Sequence, residues 1–307
     1  MQANKIAILG AGHVGSHVAA QILHLGLCHE LILIDTDQNK ARGHAIDLMD
    51  ATAYSCYDMH VHEGDYADIA DAQIAVMCAA KSGYESSDRL DELAPTLLAA
   101  DEVAAGLMGC GFCGMIISIS NPCDIIAQYL QRKTGLTVIG TGTALDSARF
   151  RVRLAQALDV DVSVVQGYSL GEHGDSQVPA FSTVMVNGVP FEEFIKQYPN
   201  IDFASIARDT VTAGWEIVKG KGCTEFGIGA AAARLIKAIL WDEQIILPCS
   251  TMLNGPYGAG GIYASVPCRV GKDGAEPIPE LPLTSEEKQA LAHSFDVLKS
   301  HLPQALL

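Results

Sequence analysis

The sequence predicts an α/β protein, with a doubly wound parallel sheet followed by an α+β half containing antiparallel strands. Three observations carry this. Short continuous apolar runs at 6–9, 31–34, 74–79, 115–119 and 137–139 alternate with helix patterns through the first half. Runs of that kind are strands buried on both faces, which a parallel sheet covered by helices provides. Past residue 143 the pattern changes: strand-like segments at 163–170 and 183–186, with Asn187-Gly188 as a hairpin turn, precede helix patterns at 203–219 and 227–241. The length of 307 residues suits two domains, and no Pro/Ser-rich linker separates them, so the expected units are 1–143 and 144–307.

The first strand runs directly into Gly10-Ala11-Gly12-His13-Val14-Gly15, which opens a helix with Val14, Val18, Ile22 and Leu25 on one face. The second strand ends at Asp35, twenty residues beyond Gly15. A GxGxxG alone says little, and its plain reading is a glycine-rich turn with a chance acid nearby. Strand, turn, helix, second strand and acid together form the full dinucleotide-binding context. Gly10 permits the tight turn, Gly12 lets the backbone approach a pyrophosphate, and Gly15 lets helix and strand pack closely. Asp35 accepts hydrogen bonds from the ribose hydroxyls and repels a 2′-phosphate, which favours NAD over NADP. The fold then reads as a Rossmann-type sheet, but a cofactor alone leaves the chemistry open.

The later elements follow the same logic. Segments 245–253 and 261–270 read as strands, with Lys272-Asp273-Gly274 as the next turn. Thr284-Ser285-Glu286-Glu287 is a capping box that opens a last helix with Leu291, Phe295 and Leu298 on one face. The uncharged run 103–123 is long enough to span a membrane. It carries four glycines and then Ser-Ile-Ser-Asn-Pro, so it is read as a helix end, a turn and a buried strand.

Composition narrows the function classes. Hydrophobic residues at 49% and charged residues at 18% are the balance of a folded core. With 36 acidic against 20 basic residues the formal charge is −16. Nucleic acid and anionic membrane are therefore not expected partners, and an anionic substrate must be captured by local cations. Nine scattered cysteines and no leader pattern point to reduced thiols in a cytoplasm. Cys110-Gly-Phe-Cys113 has no second ligand pair, so small buried residues are expected there, and no metal.

Three further stretches bear reactive side chains: 120–124 (SNPCD), 140–151 (GTGTALDSARFR) and 171–176 (GEHGDS), which holds the only histidine between residues 63 and 292. Singly, they read as a turn asparagine, a helix-cap aspartate and a surface histidine. Together with GAGHVG, KGCTEFGIG (221–229) and VPCRVGKDG (266–274), they resemble the L-lactate/L-malate dehydrogenase family over nearly the whole chain. The resemblance implies that the second half is an α+β substrate domain. It makes His173 the general acid/base, a role that suits an imidazole near neutral pH. Asp146 orients the imidazole, and Arg149, one turn on, clamps the substrate carboxylate. Asn121 lies near the reacting oxygen and the nicotinamide, Thr224 and Ile228 line the pocket, and His13, Val14 and Ala79 border the cofactor. The implied partners are a small 2-oxo or 2-hydroxy acid and further copies of the chain, as a homodimer or homotetramer.

Within 78–93 (CAAKSGYESSDRLDEL), Arg89 matches the family's lid arginine, which stabilises the developing alkoxide. Its plainer reading is a helix-start arginine paired with Asp88 or Asp91. The position six before it sets substrate choice in the family: glutamine in lactate enzymes, arginine in malate enzymes. Here it is Gly83, and the usual Pro-Gly is replaced by Glu85-Ser86. Malate or oxaloacetate is disfavoured, because Glu85 and Asp88 repel a second carboxylate, with Lys81 as the only substitute cation. The room left by a glycine resembles the broad-specificity L-2-hydroxyisocaproate branch, where each buried methylene is worth about 1–3 kcal/mol. Arg151 matches the arginine of fructose-bisphosphate-activated relatives, but Gln166 replaces the histidine, so no strong activation is expected. A non-catalytic NAD sensor would not need His173, Asp146, Arg149 and Arg89 together.

Overall fold

The strands expected in the first half are apolar on both faces, and the structure, a computed structural model describing residues 4–80, 92–198, 200–303 and 306, buries both. In chain order it forms β1 (Lys5–Leu9), α1 (His13–Leu25), β2 (Glu30–Ile34), α2 (Gln38–Thr52), β3 (His60–Glu63), β4 (Ile74–Met77), α3 (Leu93–Cys110), β5 (Met115–Ser118), α4 (Cys123–Thr134) and β6 (Val138–Gly140). The strands pair in parallel in the order β3-β2-β1-β4-β5-β6. Alternation along each strand splits the side chains: Ile6 and Ile8 join one core with Val18 and Ile22 of α1, while Ala7 and Leu9 join the other with Ala100, Val103 and Leu107 of α3. Truncating a fully buried isoleucine such as Ile8 to alanine would cost about 2–5 kcal/mol.

The run 103–123 divides as its glycines suggest: α3 ends on Gly111 in the left-handed conformation, and β5 follows. By length and composition alone α3 could cross a bilayer. Its inner face of Thr96, Ala99, Ala100, Val103, Ala104 and Leu107 is instead buried against the sheet, which accounts for its apolar composition.

The second half continues with α5 (Ala144–Leu158), β7 (Val165–Leu170), β8 (Val178–Val186), β9 (Val189–Pro190), α6 (Phe191–Phe194), α7 (Phe203–Lys221), α8 (Phe226–Leu240), β10 (Ile245–Asn254), β11 (Gly260–Gly271), β12 (Gly274–Pro277) and α9 (Ser285–Ser300). The antiparallel strands β10, β11 and β12 do not form a layer of their own. Ser250 of β10 pairs with Gly140 of β6, so one nine-stranded sheet passes through the change of pattern at 143. A Cβ on Gly140 would sit 2.9 Å from that of Ser250, which is why the junction is a glycine. β7, β8 and β9 form a separate antiparallel sheet turned by Asn187 (φ 52°) and Gly188 (φ 76°), over its own core of Phe150, Leu154, Val165, Val186 and Ile206.

Candidate active site

The cofactor turn forms where β1 meets α1. Gly10 has φ 101°, and a Cβ there would lie 2.7 Å from the amide nitrogen of Ala79, so this turn and the end of β4 can touch only without a side chain. A Cβ on Gly15 would lie 2.0 Å from the Gly10 carbonyl oxygen. Gly12 differs: among the described residues nothing lies within 4 Å of its Cβ position, and none caps the α1 N-terminus with a side chain. An open backbone concavity at an uncapped helix N-terminus is what a pyrophosphate needs.

Asp35 ties this turn to β2. Its Oδ2 accepts from the amide of Ala11 at 2.8 Å, and its Oδ1 from that of Asp37 at 2.9 Å. Lys40 Nζ lies 2.9 Å from Oδ2. Burial acts to raise this carboxyl, but Lys40 and the two amides outweigh it and hold Asp35 below the usual carboxylate range.

The reactive cluster forms where α5 and the loop after β7 meet. The turn into α5 is fixed by Thr143, whose amide donates to Ser265 Oγ at 3.0 Å and whose hydroxyl donates to the Ser169 carbonyl at 2.6 Å. One turn on, Asp146 is completely buried. Its Oδ2 lies 2.5 Å from His173 Nδ1, and its Oδ1 accepts from Arg149 Nη1 at 2.9 Å. A buried carboxylate is tolerable only when paired, and here two cations or potential cations share it. The i,i+3 spacing of Asp146 and Arg149 sets both on one face of α5.

The histidine loop is pinned from three sides. Gly171 exchanges backbone hydrogen bonds with Ser265 of β11, and the Glu172 amide donates to Ser294 Oγ of α9 at 2.8 Å. The His173 amide donates to Asp124 Oδ2 at 2.8 Å. Burial pushes the Asp124 carboxyl up to about 6. With backbone and ring both held, little conformational entropy remains for His173 to lose on binding.

Of the sequence-predicted site, the structure gathers Gly10, Gly12, His13, Val14, Gly15, Asp35 and Ala79 around the cofactor turn. It also gathers His173, Asp146 and Arg149 into one bonded cluster. Asn121 follows β5 with a cis peptide to Pro122, and its Oδ1 is buried with no hydrogen-bond partner among the described residues. That orphan acceptor awaits a donor from a bound molecule, and with the open Gly12 cradle it shows that these residues fit a dinucleotide. Thr224 is half-buried between α7 and α8, and Ile228 is buried in the first turn of α8. Gly83 and Arg89 lie outside the described residues. Arg151 is partly buried, with Nε donating to the Ser147 carbonyl at 3.4 Å, and Gln166 is exposed on β7. Sequence reading missed Asp124 and Ser294. Asp124 stood inside a quoted motif, but its partner lies 49 residues away.

The fold and the bonded imidazole–carboxylate–guanidinium set suit an oxidoreductase linked to a dinucleotide. Residues 4–138 match the lactate/malate dehydrogenase NAD binding domain, and residues 143–306 match the lactate/malate dehydrogenase alpha/beta C-terminal domain. An L-lactate dehydrogenase of Fusobacterium nucleatum is 37% identical, covering 98% of this chain and 97% of that one. Among solved structures, the minor L-lactate dehydrogenase of Enterococcus mundtii in its ligands-bound form superposes with a TM-score of 0.94 at 36% identity, covering 98% of both chains. The lactate dehydrogenase of Cryptosporidium parvum, complexed with lactic acid and NAD, gives 0.92 at 32% identity, covering 98% of this chain and 97% of that one. The chain belongs to the lactate/malate dehydrogenase family: it is an oxidoreductase acting on a CH–OH group, its cofactor is NAD, and its substrate is a small hydroxy or oxo acid.

Proposed function

We propose that this protein is an NAD-dependent L-2-hydroxy-acid dehydrogenase that reversibly reduces 2-oxo acids, including ones with side chains bulkier than that of pyruvate. The observation that carries the chemistry is the buried Asp146 carboxylate, bridging His173 at 2.5 Å and Arg149 at 2.9 Å. The bound cofactor supplies the hydride. His173, held through Nδ1, presents Nε2 and its proton to the keto oxygen. Asp146 fixes that tautomer and stabilises the imidazolium. Arg149 pairs with the substrate carboxylate, and Asn121 stands near the reacting oxygen and the nicotinamide, its unpartnered Oδ1 free to accept from a donor of the bound cofactor. Arg89, which lies outside the described residues, polarises the carbonyl, and Thr224 and Ile228 border the substrate and nicotinamide. Residues 1–143 form the NAD-binding unit, which also contributes Gly83, Arg89 and Asn121 to the substrate, and 144–307 form the catalytic and substrate unit.

The preference for bulk rests on Gly83, where a small residue replaces the side chain that meets the substrate's third carbon. L-lactate dehydrogenase proper is the second reading, favoured by the names of the relatives above, and malate dehydrogenase follows. A non-catalytic NAD sensor would not need the bonded His173–Asp146–Arg149 set. Apolar side chains exposed at Ile46, Met49 and Tyr54, on and just after α2, support a homodimer or homotetramer, which sedimentation tests. Nine free thiols support a cytoplasmic setting.

The deciding experiment measures kcat/KM with NADH for pyruvate, 2-oxoisocaproate, phenylpyruvate and oxaloacetate. The branched and aromatic acids are expected to match or exceed pyruvate. Gly83→Gln is expected to move preference toward pyruvate. A clear preference for oxaloacetate overturns the reading of Gly83, and tight NADH binding without turnover of any 2-oxo acid restores the sensor.

A further inference from the structure

At the start of α1 three unlike ligand atoms converge. His13 Nδ1 lies 2.9 Å from Glu225 Oε1, and Cys223 Sγ donates to the same oxygen at 3.2 Å. All three ligand atoms lie within 4.8 Å of one another. The residues are distant in the chain: His13 is the first residue of α1, Glu225 caps α8, and Cys223 sits in the α7–α8 connection. Lys221 takes the other carboxylate oxygen, Oε2, and so leaves Oε1 aimed at the sulfur and the imidazole.

We propose that His13, Cys223 and Glu225 form a binding site for a borderline-soft divalent cation, Zn²⁺ above all. The donor set selects the ion: one thiolate, one imidazole and one carboxylate oxygen suit Zn²⁺, whereas Mg²⁺ and Ca²⁺ require shells of oxygen. The geometry is nearly prepared. Tetrahedral Zn²⁺ with ordinary bond lengths needs N···O and S···O separations of about 3.4–3.6 Å, a few tenths beyond those present. On binding, Cys223 gives up its thiol proton to solvent and Glu225 exchanges two hydrogen bonds for one metal bond. Lys221 remains on the outer oxygen as a supporting partner. The fourth position takes water.

The site couples to the cofactor turn through its anchors. A cation there ties the first turn of α1 to the connection that also carries Thr224, so occupancy restrains the two together. Sequence reading expected no metal, because its ligands stand 212 residues apart. A second group, Glu30, His60 and His62, offers no sulfur. It serves as the control.

The test loads the full-length protein with Co²⁺ and Zn²⁺. Co²⁺ is expected to give a thiolate-to-metal charge-transfer band, and Zn²⁺ to bind with release of a proton and to slow NADH turnover. Cys223→Ser is expected to abolish the band, weaken Zn²⁺ by at least about tenfold, and relieve the inhibition while leaving metal-free activity near wild type. His13→Gln should weaken binding in parallel, and His60→Ala should not. Equal Zn²⁺ affinity in wild type and Cys223→Ser, absence of the charge-transfer band, or loss of binding in His60→Ala alone overturns the site. NADH turnover without metal is measured separately, so failure here leaves the dehydrogenase reading untouched.

Discussion

Asp146→Asn isolates the central contact of the proposed mechanism. The substitution conserves volume at a position with no solvent exposure, so packing is kept while the charge is lost. Arg149 offers only donors, so the new amide must turn its oxygen toward Nη1, now 2.9 Å from the carboxylate. Its NH₂ then faces His173 Nδ1, where the carboxylate oxygen stood at 2.5 Å. An imidazolium carries a proton on that nitrogen, so the variant sets donor against donor in the protonated form. A charge-assisted hydrogen bond is worth about 1.5–3 kcal/mol, and breaking a buried pair costs about 3–5 kcal/mol. Taking about 3 kcal/mol, kcat/KM for 2-oxo acid reduction should fall on the order of 150-fold. Reduction needs the protonated ring, so the alkaline limb of its pH profile should also move to lower pH. NADH oxidation followed across pH measures both, and an NADH titration checks that the cofactor still binds. A variant within about threefold of wild type, with an unmoved profile, would show that Asp146 is a structural carboxylate only.

The two glycines of the turn should separate folding from binding. Gly12→Ala faces open space and should leave the unfolding midpoint unchanged while weakening NADH at least about tenfold, whereas Gly15→Ala, with its Cβ at 2.0 Å from a carbonyl, should cost about 1–3 kcal/mol in a urea titration. Asp35→Ser removes the charge that pairs with Lys40 at 2.9 Å, and the freed ammonium should attract a 2′-phosphate. The kcat/KM ratio of NADPH to NADH should rise at least about tenfold. Asp124 is held at about 6, above its usual range, so the folded state keeps a proton that the unfolded chain releases. The stability this gives is present at low pH and lost as pH rises from about 4 through 6; Asp124→Asn should flatten that stretch of the urea-midpoint profile.

What was legible in the sequence was whatever is encoded locally. The dinucleotide turn is a run of neighbours whose spacing is set by one strand, one turn and one helix, and helices expected at 203–219 and 227–241 appear as Phe203–Lys221 and Phe226–Leu240. The Thr284 capping box forms as its four residues dictate. Long-range pairings were not legible. β3 is an edge strand with one buried apolar residue, Val61, and α2 buries only Ala41 and Ala45, so neither gives a periodic signal. The continuation of the sheet into β10 depends on one residue pair, Ser250 with Gly140, whose short approach no local pattern announces. The same holds in the site, where Asp124 earns its place through a backbone amide 49 residues later.

The substrate question divides along a similar line, and charge settles more of it than shape. In the proposed mechanism the bonded His173, Asp146 and Arg149 engage only the 2-oxo acid group shared by every candidate, so this cluster would not sense the side chain. Discrimination falls to whatever meets the third carbon: by our proposal Gly83, with Thr224 and Ile228 beside it. A second carboxylate brought there without a cation carries a desolvation penalty of several kcal/mol, and Glu85 and Asp88 stand nearby in sequence within a chain of net charge −16. An extra methylene, by contrast, shifts binding by about 1–3 kcal/mol in either direction. On this proposal the same glycine disfavours oxaloacetate far more strongly than it disfavours pyruvate. Gly83→Arg should reverse the first preference by orders of magnitude, while Gly83→Gln should move the second by one or two at most.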